Sequence, residues 1–126
     1  MKAKYNCSIA KILQKKGQYV NSRSYARQSI ELNPKYGLPY IIIATLYGSN
    51  PVGEDSFEKS KTYWLVIDYL QKAKAADPSV ANEAQQLINR YIGSCPKKEE
   101  AFMHSITPGM SITIGGWIGE STTARF

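Results

Sequence analysis

The chain has 126 residues, of which 43% are hydrophobic and 21% are charged. This composition is typical of a globular domain rather than of a disordered or fibrous chain. The length provides one hydrophobic core and excludes two independent ones. No apolar run approaches the roughly 18 residues that a membrane-spanning helix needs, so we expect no membrane insertion.

Positive charge is concentrated in the first third of the chain. The formal net charge is +6, and residues 1–36 hold eight Lys and Arg against one acid, Glu31. The rest of the chain holds eight Lys and Arg against nine acids. A basic surface can attract nucleic acid or acidic peptides. Because exposed helices commonly carry solvated lysines, we expect no nucleic-acid partner.

Three segments repeat one spacing, i, i+3, i+4, i+7, which places four side chains on one face of a helix. The positions are Asn6, Ile9, Ala10 and Leu13, then Tyr40, Ile43, Ala44 and Tyr47, then Ala84, Leu87, Ile88 and Tyr91. Only the first of these residues is polar. The pattern predicts three helices of one kind.

A second helix is predicted after each of the first two, and each ends at a proline. Pro34 follows Asn33, and Pro78 follows Asp77. Proline lacks a backbone N–H and clashes with the preceding turn, so the helix stops there. Small or apolar residues line the helices before the prolines: Ser22, Ala26 and Ser29, then Val66, Leu70 and Ala73. The sequence therefore predicts closely packed helix–turn–helix pairs.

With these landmarks, roughly residues 4–104 resemble the tetratricopeptide repeat family. The tripeptide Gly17-Gln18-Tyr19 falls where that family's unit turns from its first helix to its second. The resemblance implies an all-α fold, a right-handed helical solenoid of about two and a half helix–turn–helix repeats. The implied function is a non-enzymatic protein–protein interaction module, or scaffold, that docks a partner.

The resemblance divides the chain into helical repeats and a C-terminal tail. We expect repeats over 1–106, with unit 1 at about 3–36, unit 2 at about 37–80, a partial unit 3 at about 81–106, and the tail at 107–126. Unit 2 is longer than the family's unit of about 34 residues. The excess falls in 48–59, where Gly, Pro and Asn break the helical pattern, so we expect a loop insertion there.

The tail has a different period. Ile112 and Ile114 alternate with polar residues, which is typical of extended structure, and two glycines precede Trp117. We expect a short extended segment or β-hairpin that caps the apolar end of the repeats. The stretch from Gly115 to Arg125 is similar to the ends of uncharacterised tetratricopeptide proteins of gut Bacteroidetes, which implies a bacterial protein.

No catalytic or metal-binding pattern stands out. The single histidine, His104, has no acid at the spacing of a Ser-His-Asp motif. Cys7 and Cys95 share no metal-ligand spacing with each other or with His104. We therefore expect two free thiols, no metal, no cofactor and no enzymatic activity.

In the tetratricopeptide family, the first helix of each unit lines a concave groove that receives a partner peptide. The matching positions suited to binding are Lys4, Lys11, Gln14, Leu38, Ile41, Thr45, Asn82, Gln85 and Asn89. Lysines and amides suit peptide carbonyls or a carboxylate, and the two aliphatic residues suit apolar contact. The implied partner is another protein or peptide.

The alternative is a C-terminal structural capping segment of a longer repeat protein. Its apolar face near Ile9 and Leu13 would pack against absent repeats, and the chain would form a homo-oligomer through this exposed repeat edge. The N-terminus shows no apolar signal segment. This favours the cytoplasm for the chain as given, and the periplasm or cell envelope if an export signal lies upstream.

Overall fold

The part of the chain that the computed structural model describes, residues 2–126, is mostly helical. Its elements are α1 (Lys2–Lys15), α2 (Tyr19–Leu32), α3 (Leu38–Ser49), α4 (Ser56–Ala76), α5 (Ala81–Tyr91), α6 (Lys98–Met103), β1 (Ser111–Ile114) and β2 (Glu120–Thr123). Short 3-10 turns at Pro78–Val80 and Ile92–Ser94 flank α5. The expectation of a mostly helical chain is confirmed, and of the two forms expected for the tail, an extended segment or a β-hairpin, the structure has the hairpin.

The first two helices pack as an antiparallel pair through small residues. Ser22 of α2 donates a hydrogen bond to the carbonyl of Ala10, and Ser29 donates to the carbonyl of Ala3, both at 2.7 Å. Both serines are fully buried. A buried hydroxyl without a hydrogen-bond partner is costly. The bonds from the two serine hydroxyls of α2 to backbone carbonyls of α1 therefore allow serine in this close contact.

Helix α3 forms the centre of the fold. Seven of its twelve residues are buried, from Pro39 to Tyr47, and α2 and α4 both pack against it. A helix that is apolar on all sides is enclosed by neighbours rather than lying on the surface. Burial of isoleucine and leucine side chains stabilises such a core by about 1.5–3 kcal/mol for each fully buried side chain.

The connection between α3 and α4 is shorter than the loop predicted over 48–59. Helix α3 continues to Ser49, and α4 begins at Ser56. The carboxylate of Asp55 accepts a hydrogen bond from the backbone N–H of Glu58 at 2.8 Å, which satisfies a free donor of the first turn. Because of this N-cap, only residues 50–55 are left outside the helices.

Helices α2 and α4 end with the same local geometry. Asn33 and Asp77 are both extended, and their backbone N–H groups bond to the carbonyls of Ser29 and Ala73. The side chain of Asn33 accepts from the N–H two residues later at 3.1 Å, and that of Asp77 does so at 3.0 Å. The other carboxylate oxygen of Asp77 accepts from the N–H of Gly37 at 2.9 Å. The ends of α2 and α4 are therefore equivalent turns that meet at Gly37.

The C-terminal hairpin turns back onto the helices. Strands β1 and β2 are antiparallel, with Ile112 opposite Thr122 and Ile114 opposite Glu120. The two isoleucines are buried, and both strands pack against α4. The hairpin also reaches α2, because the guanidinium of Arg23 donates to the carbonyl of Ile118 at 2.9 Å. It therefore contacts the second helix of both complete pairs.

Candidate interaction surfaces

The predicted groove residues of α1 and α3 lie side by side. The amide of Gln14 donates to the hydroxyl of Thr45 at 2.7 Å, and that hydroxyl donates to the carbonyl of Ile42 at 2.9 Å. Lys4 and Lys11 are exposed on α1. Lys4, Lys11 and Gln14 therefore lie on α1 and Thr45 on the neighbouring α3. Gln14 and Thr45 are hydrogen-bonded to each other.

The third helix of this kind, α5, carries a separate polar row. The side-chain oxygen of Gln85 accepts from Lys74 at 2.6 Å, and its amide donates to Asn89 at 2.9 Å. Asn82 and Asn89 are exposed. The far ends of α3 and α5 meet where a Cβ on Gly48 would lie 2.9 Å from the ring of Tyr91.

The apolar half of the predicted groove requires a correction at Ile41. Its side chain is only 4% exposed and belongs to the core, so it does not face a partner. The family register places Ile41 on the open side of α3, but α3 is covered on nearly all sides. Leu38 is half-buried and retains some accessible surface.

A carboxylate that the sequence did not single out connects the hairpin to the helices. Glu120 of β2 accepts hydrogen bonds from the hydroxyls of Tyr47 and Tyr69. It also forms an ion pair with Arg27 at 3.2 Å. These three donors come from α3, α4 and α2. Tyr47 and Tyr69 have rings 5.6 Å apart in an edge-to-face arrangement. One acidic side chain therefore links three helices to the tail.

Burial and the carboxylate keep both hydroxyls protonated. Burial raises the pKa of Tyr47 and of Tyr69 above the ordinary value, and the hydrogen bond to Glu120 raises the pKa of each further. A neutral tyrosine donates to a carboxylate, whereas an ionised one would repel it. Both hydroxyls therefore act as hydrogen-bond donors to Glu120.

Trp117, at the turn of the hairpin, inserts between α2 and α3. Its indole N–H donates to the carbonyl of Asn50 at 3.0 Å. Its ring lies 4.6 Å from that of Tyr19 and 5.3 Å from that of Tyr47, both edge-to-face. The guanidinium of Arg23 stands 4.9 Å from the ring centroid, a cation–π contact. Trp117 therefore fixes the turn of the hairpin against the first helices of the fold.

The last residues of the chain are fixed on α4 by a reciprocal contact. The indole N–H of Trp64 donates to the carbonyl of Arg125 at 2.9 Å, and the guanidinium of Arg125 donates to the carbonyl of Trp64 at 2.8 Å. Arg125 also pairs with Asp68, which accepts from Thr122 as well. Asp68 and Glu120 are therefore the two acids through which the tail attaches.

An open cleft of about 690 Å³ lies between α4, α5 and the C-terminal residues. Trp64, Ile67 and Ile88 form a buried apolar floor, and Lys97 and Lys98 stand at the edge. Two acids follow these lysines directly in the sequence. Those acids do not line the cleft, whose charged lining residues are Lys97, Lys98 and Arg125, so the cleft has an apolar floor and a basic edge.

Reactive groups are dispersed or blocked. His104 stacks on Phe57 with 3.8 Å between ring centroids. Cys7 and Cys95 are free thiols, and burial raises the pKa of Cys7 and raises the pKa of Cys95 to about 11. Neutral thiols are poor nucleophiles. Within residues 2–126 no group of three or more His, Cys, Asp or Glu could hold a metal ion, and no helix could span a membrane.

No protein-family model matches the chain, and no curated protein or solved structure matches it significantly.

Proposed function

We propose that the chain is a helical-repeat interaction module of the tetratricopeptide type. In this arrangement α1, α3 and α5, as the first helices of successive pairs, present the surface that receives a partner peptide. The matching ends of α2 and α4 at Asn33 and Asp77 support the repeat. The short hydrogen-bonded serine contacts between α1 and α2 support the close pairing that the repeat requires.

The observation that carries the binding proposal is the pair of exposed lysines on α1. Lys4 and Lys11 stand two turns apart, and none of the ion pairs found among residues 2–126 involves either of them. Each ammonium group offers three donors to a partner's carboxylates or carbonyls. Beyond them, the bond between Gln14 and Thr45 holds α1 and α3 in register. The half-buried Leu38 would supply the apolar contact that Ile41 does not.

A charge reversal on α1 tests this proposal. A partner would first be isolated by co-purification and cross-linking, and its affinity for the purified chain measured by calorimetry. We expect Lys4→Glu with Lys11→Glu to weaken binding by about tenfold or more, which corresponds to about 1.4 kcal/mol. The control is Lys35→Glu with Lys59→Glu, two exposed lysines outside α1. Equal affinities of the two double variants for the partner would contradict the proposal that Lys4 and Lys11 bind it.

A further inference from the structure

The side of α1 that faces away from α2 carries exposed apolar residues. Ala3 and Ala10 are buried toward α2. Tyr5 and Ile12, by contrast, are 68% and 54% exposed. With the half-buried Ile9 they occupy positions i, i+4 and i+7, which share one helical face. We call Tyr5, Ile9 and Ile12 the outer stripe of α1.

Lysines border the outer stripe. Lys2 lies three residues before the first member of the stripe and Lys16 four residues after the last, so both extend its line. Lys4, Lys11 and Lys15 form a second row beside it at the same helical spacing. All five lysines are exposed. The stripe is thus a narrow apolar line within a basic surface.

No ion pair within residues 2–126 involves a lysine of this surface. The first thirty residues contain no acid, and the first carboxylate is Glu31 at the end of α2. The ion pairs present among residues 2–126 involve Arg27, Lys61 and Arg125 and no lysine of α1. These lysines are therefore free to pair with carboxylates of a partner.

We propose that the outer stripe docks an acidic amphipathic helix of another protein. Side chains at i, i+4 and i+7 line one helical face, which can pack against the apolar face of a second helix. An apolar seam flanked by glutamates or aspartates would bury Tyr5 and Ile12 and bring carboxylates beside the lysine rows. Opposite charges across such a contact steer association and fix its orientation.

Other occupants fit the surface less well. A second copy of this chain would place two sets of α1 lysines against each other, and like charges across an interface are costly. A membrane-surface helix needs a broad apolar face that inserts into the lipid boundary, whereas only Tyr5 and Ile12 protrude here. A nucleic-acid backbone would leave the apolar stripe without contacts.

A designed helical peptide serves as the probe. It carries leucines at i, i+3, i+4 and i+7 and glutamates at most other positions, with both ends blocked. The control peptide has lysines in place of the glutamates. We expect the acidic peptide to bind the full chain saturably by calorimetry, with an affinity that falls as sodium chloride is added. The basic peptide should not bind.

Two double variants locate the site. Tyr5→Ser with Ile12→Ser removes the apolar contact, and Lys15→Glu with Lys16→Glu reverses charge at the end of the stripe. Each should weaken binding by about tenfold or more. All four side chains are exposed, so circular dichroism should be unchanged. Lys4 and Lys11, which the proposed peptide groove also uses, stay intact in these variants, so a loss of binding here reports on the stripe and the lysines at its end.

Matched controls lie at the other end of the chain. Ile92 is 59% exposed and Lys97-Lys98 is a second exposed lysine pair. Ile92→Ser, and Lys97→Glu with Lys98→Glu, should leave the affinity for the acidic peptide unchanged. Four results would overturn the proposal: no saturable binding, equal loss in control and stripe variants, self-association in sedimentation that Ile12→Ser abolishes, or binding to anionic vesicles in preference to the peptide.

Discussion

The hydroxyl of Tyr69 lies 2.7 Å from one carboxylate oxygen of Glu120 and 2.9 Å from the other. This contact joins the middle of α4 to the last strand, 51 residues later. Tyr47 and Arg27 bind the same carboxylate. Glu120, one of the two acids through which the tail attaches, therefore binds donors from three helices.

Replacing that acid should loosen the tail. Glu120→Gln keeps the shape of the side chain but removes its charge, and it leaves the donors of Tyr47, Tyr69 and Arg27 competing for one amide oxygen. We expect a loss of about 1.5–3 kcal/mol in the free energy of unfolding, measured by urea denaturation. Glu83→Gln, at an exposed position of α5, is the control and should cost little. Equal stability of the two variants would show that the cluster contributes nothing.

The same cluster predicts a loss of stability at alkaline pH. The pKa values of Tyr47 and Tyr69 are raised in the folded chain, chiefly by burial, so both stay protonated while unfolded tyrosine ionises near pH 10. Their contribution is complete below that pH and is lost as pH rises above it. Absorbance titration should show tyrosines that ionise only as circular dichroism reports unfolding. Free titration of every tyrosine in the folded state would contradict the burial argument.

Cys95 should react slowly with alkylating reagents. Burial raises the pKa of its thiol to about 11. At pH 8 its thiolate fraction is therefore roughly 100-fold below that of a thiol whose pKa is near 9. Site-resolved mass spectrometry after iodoacetamide treatment measures the rate, and the urea-unfolded chain provides the reference. Cys7, whose pKa burial also raises, should be protected in the same way. Equal rates in folded and unfolded chains would refute the prediction.

Gly37 should not tolerate a side chain. A Cβ there would lie 2.5 Å from Val80 and 2.7 Å from the Cβ of Asp77, where the ends of α2 and α4 meet. We expect Gly37→Ala to cost about 1–3 kcal/mol through overpacking, read as a lower midpoint in urea. Gly93→Ala is matched, because nothing lies within 4 Å of a Cβ at that position. An unchanged urea midpoint for Gly37→Ala would show that the neighbouring side chains move to accommodate the added methyl group.

The helical pairs were predictable because their signals are local. The i, i+3, i+4, i+7 spacing and the stops at Pro34 and Pro78 depend on neighbours within one or two turns, and α1 to α5 follow them. The loop boundary was less accurate, because the capping contact of Asp55 with Glu58 extends α4 further than its Gly and Pro neighbours suggest.

The exposure of the candidate groove residues was only partly predictable. The family register placed Lys4 and Lys11 on an open side of α1, and both are exposed. The register also placed Ile41 on the open side of α3, but the structure buries its side chain. Spacing alone does not distinguish the open side of a helix that is apolar all round, so the burial of Ile41 depends on which neighbours enclose α3.

The sequence by itself determined the helices, their ends and the change of period at the tail, since each follows from interactions within a few residues. Tertiary structure alone decided where the hairpin docks and which residues hold it. Glu120 gains its role from Tyr47, Tyr69 and Arg27, all more than 50 residues earlier in the chain. No local pattern encodes such a contact, because it exists only once three separate helices have packed and left a space that one carboxylate fills.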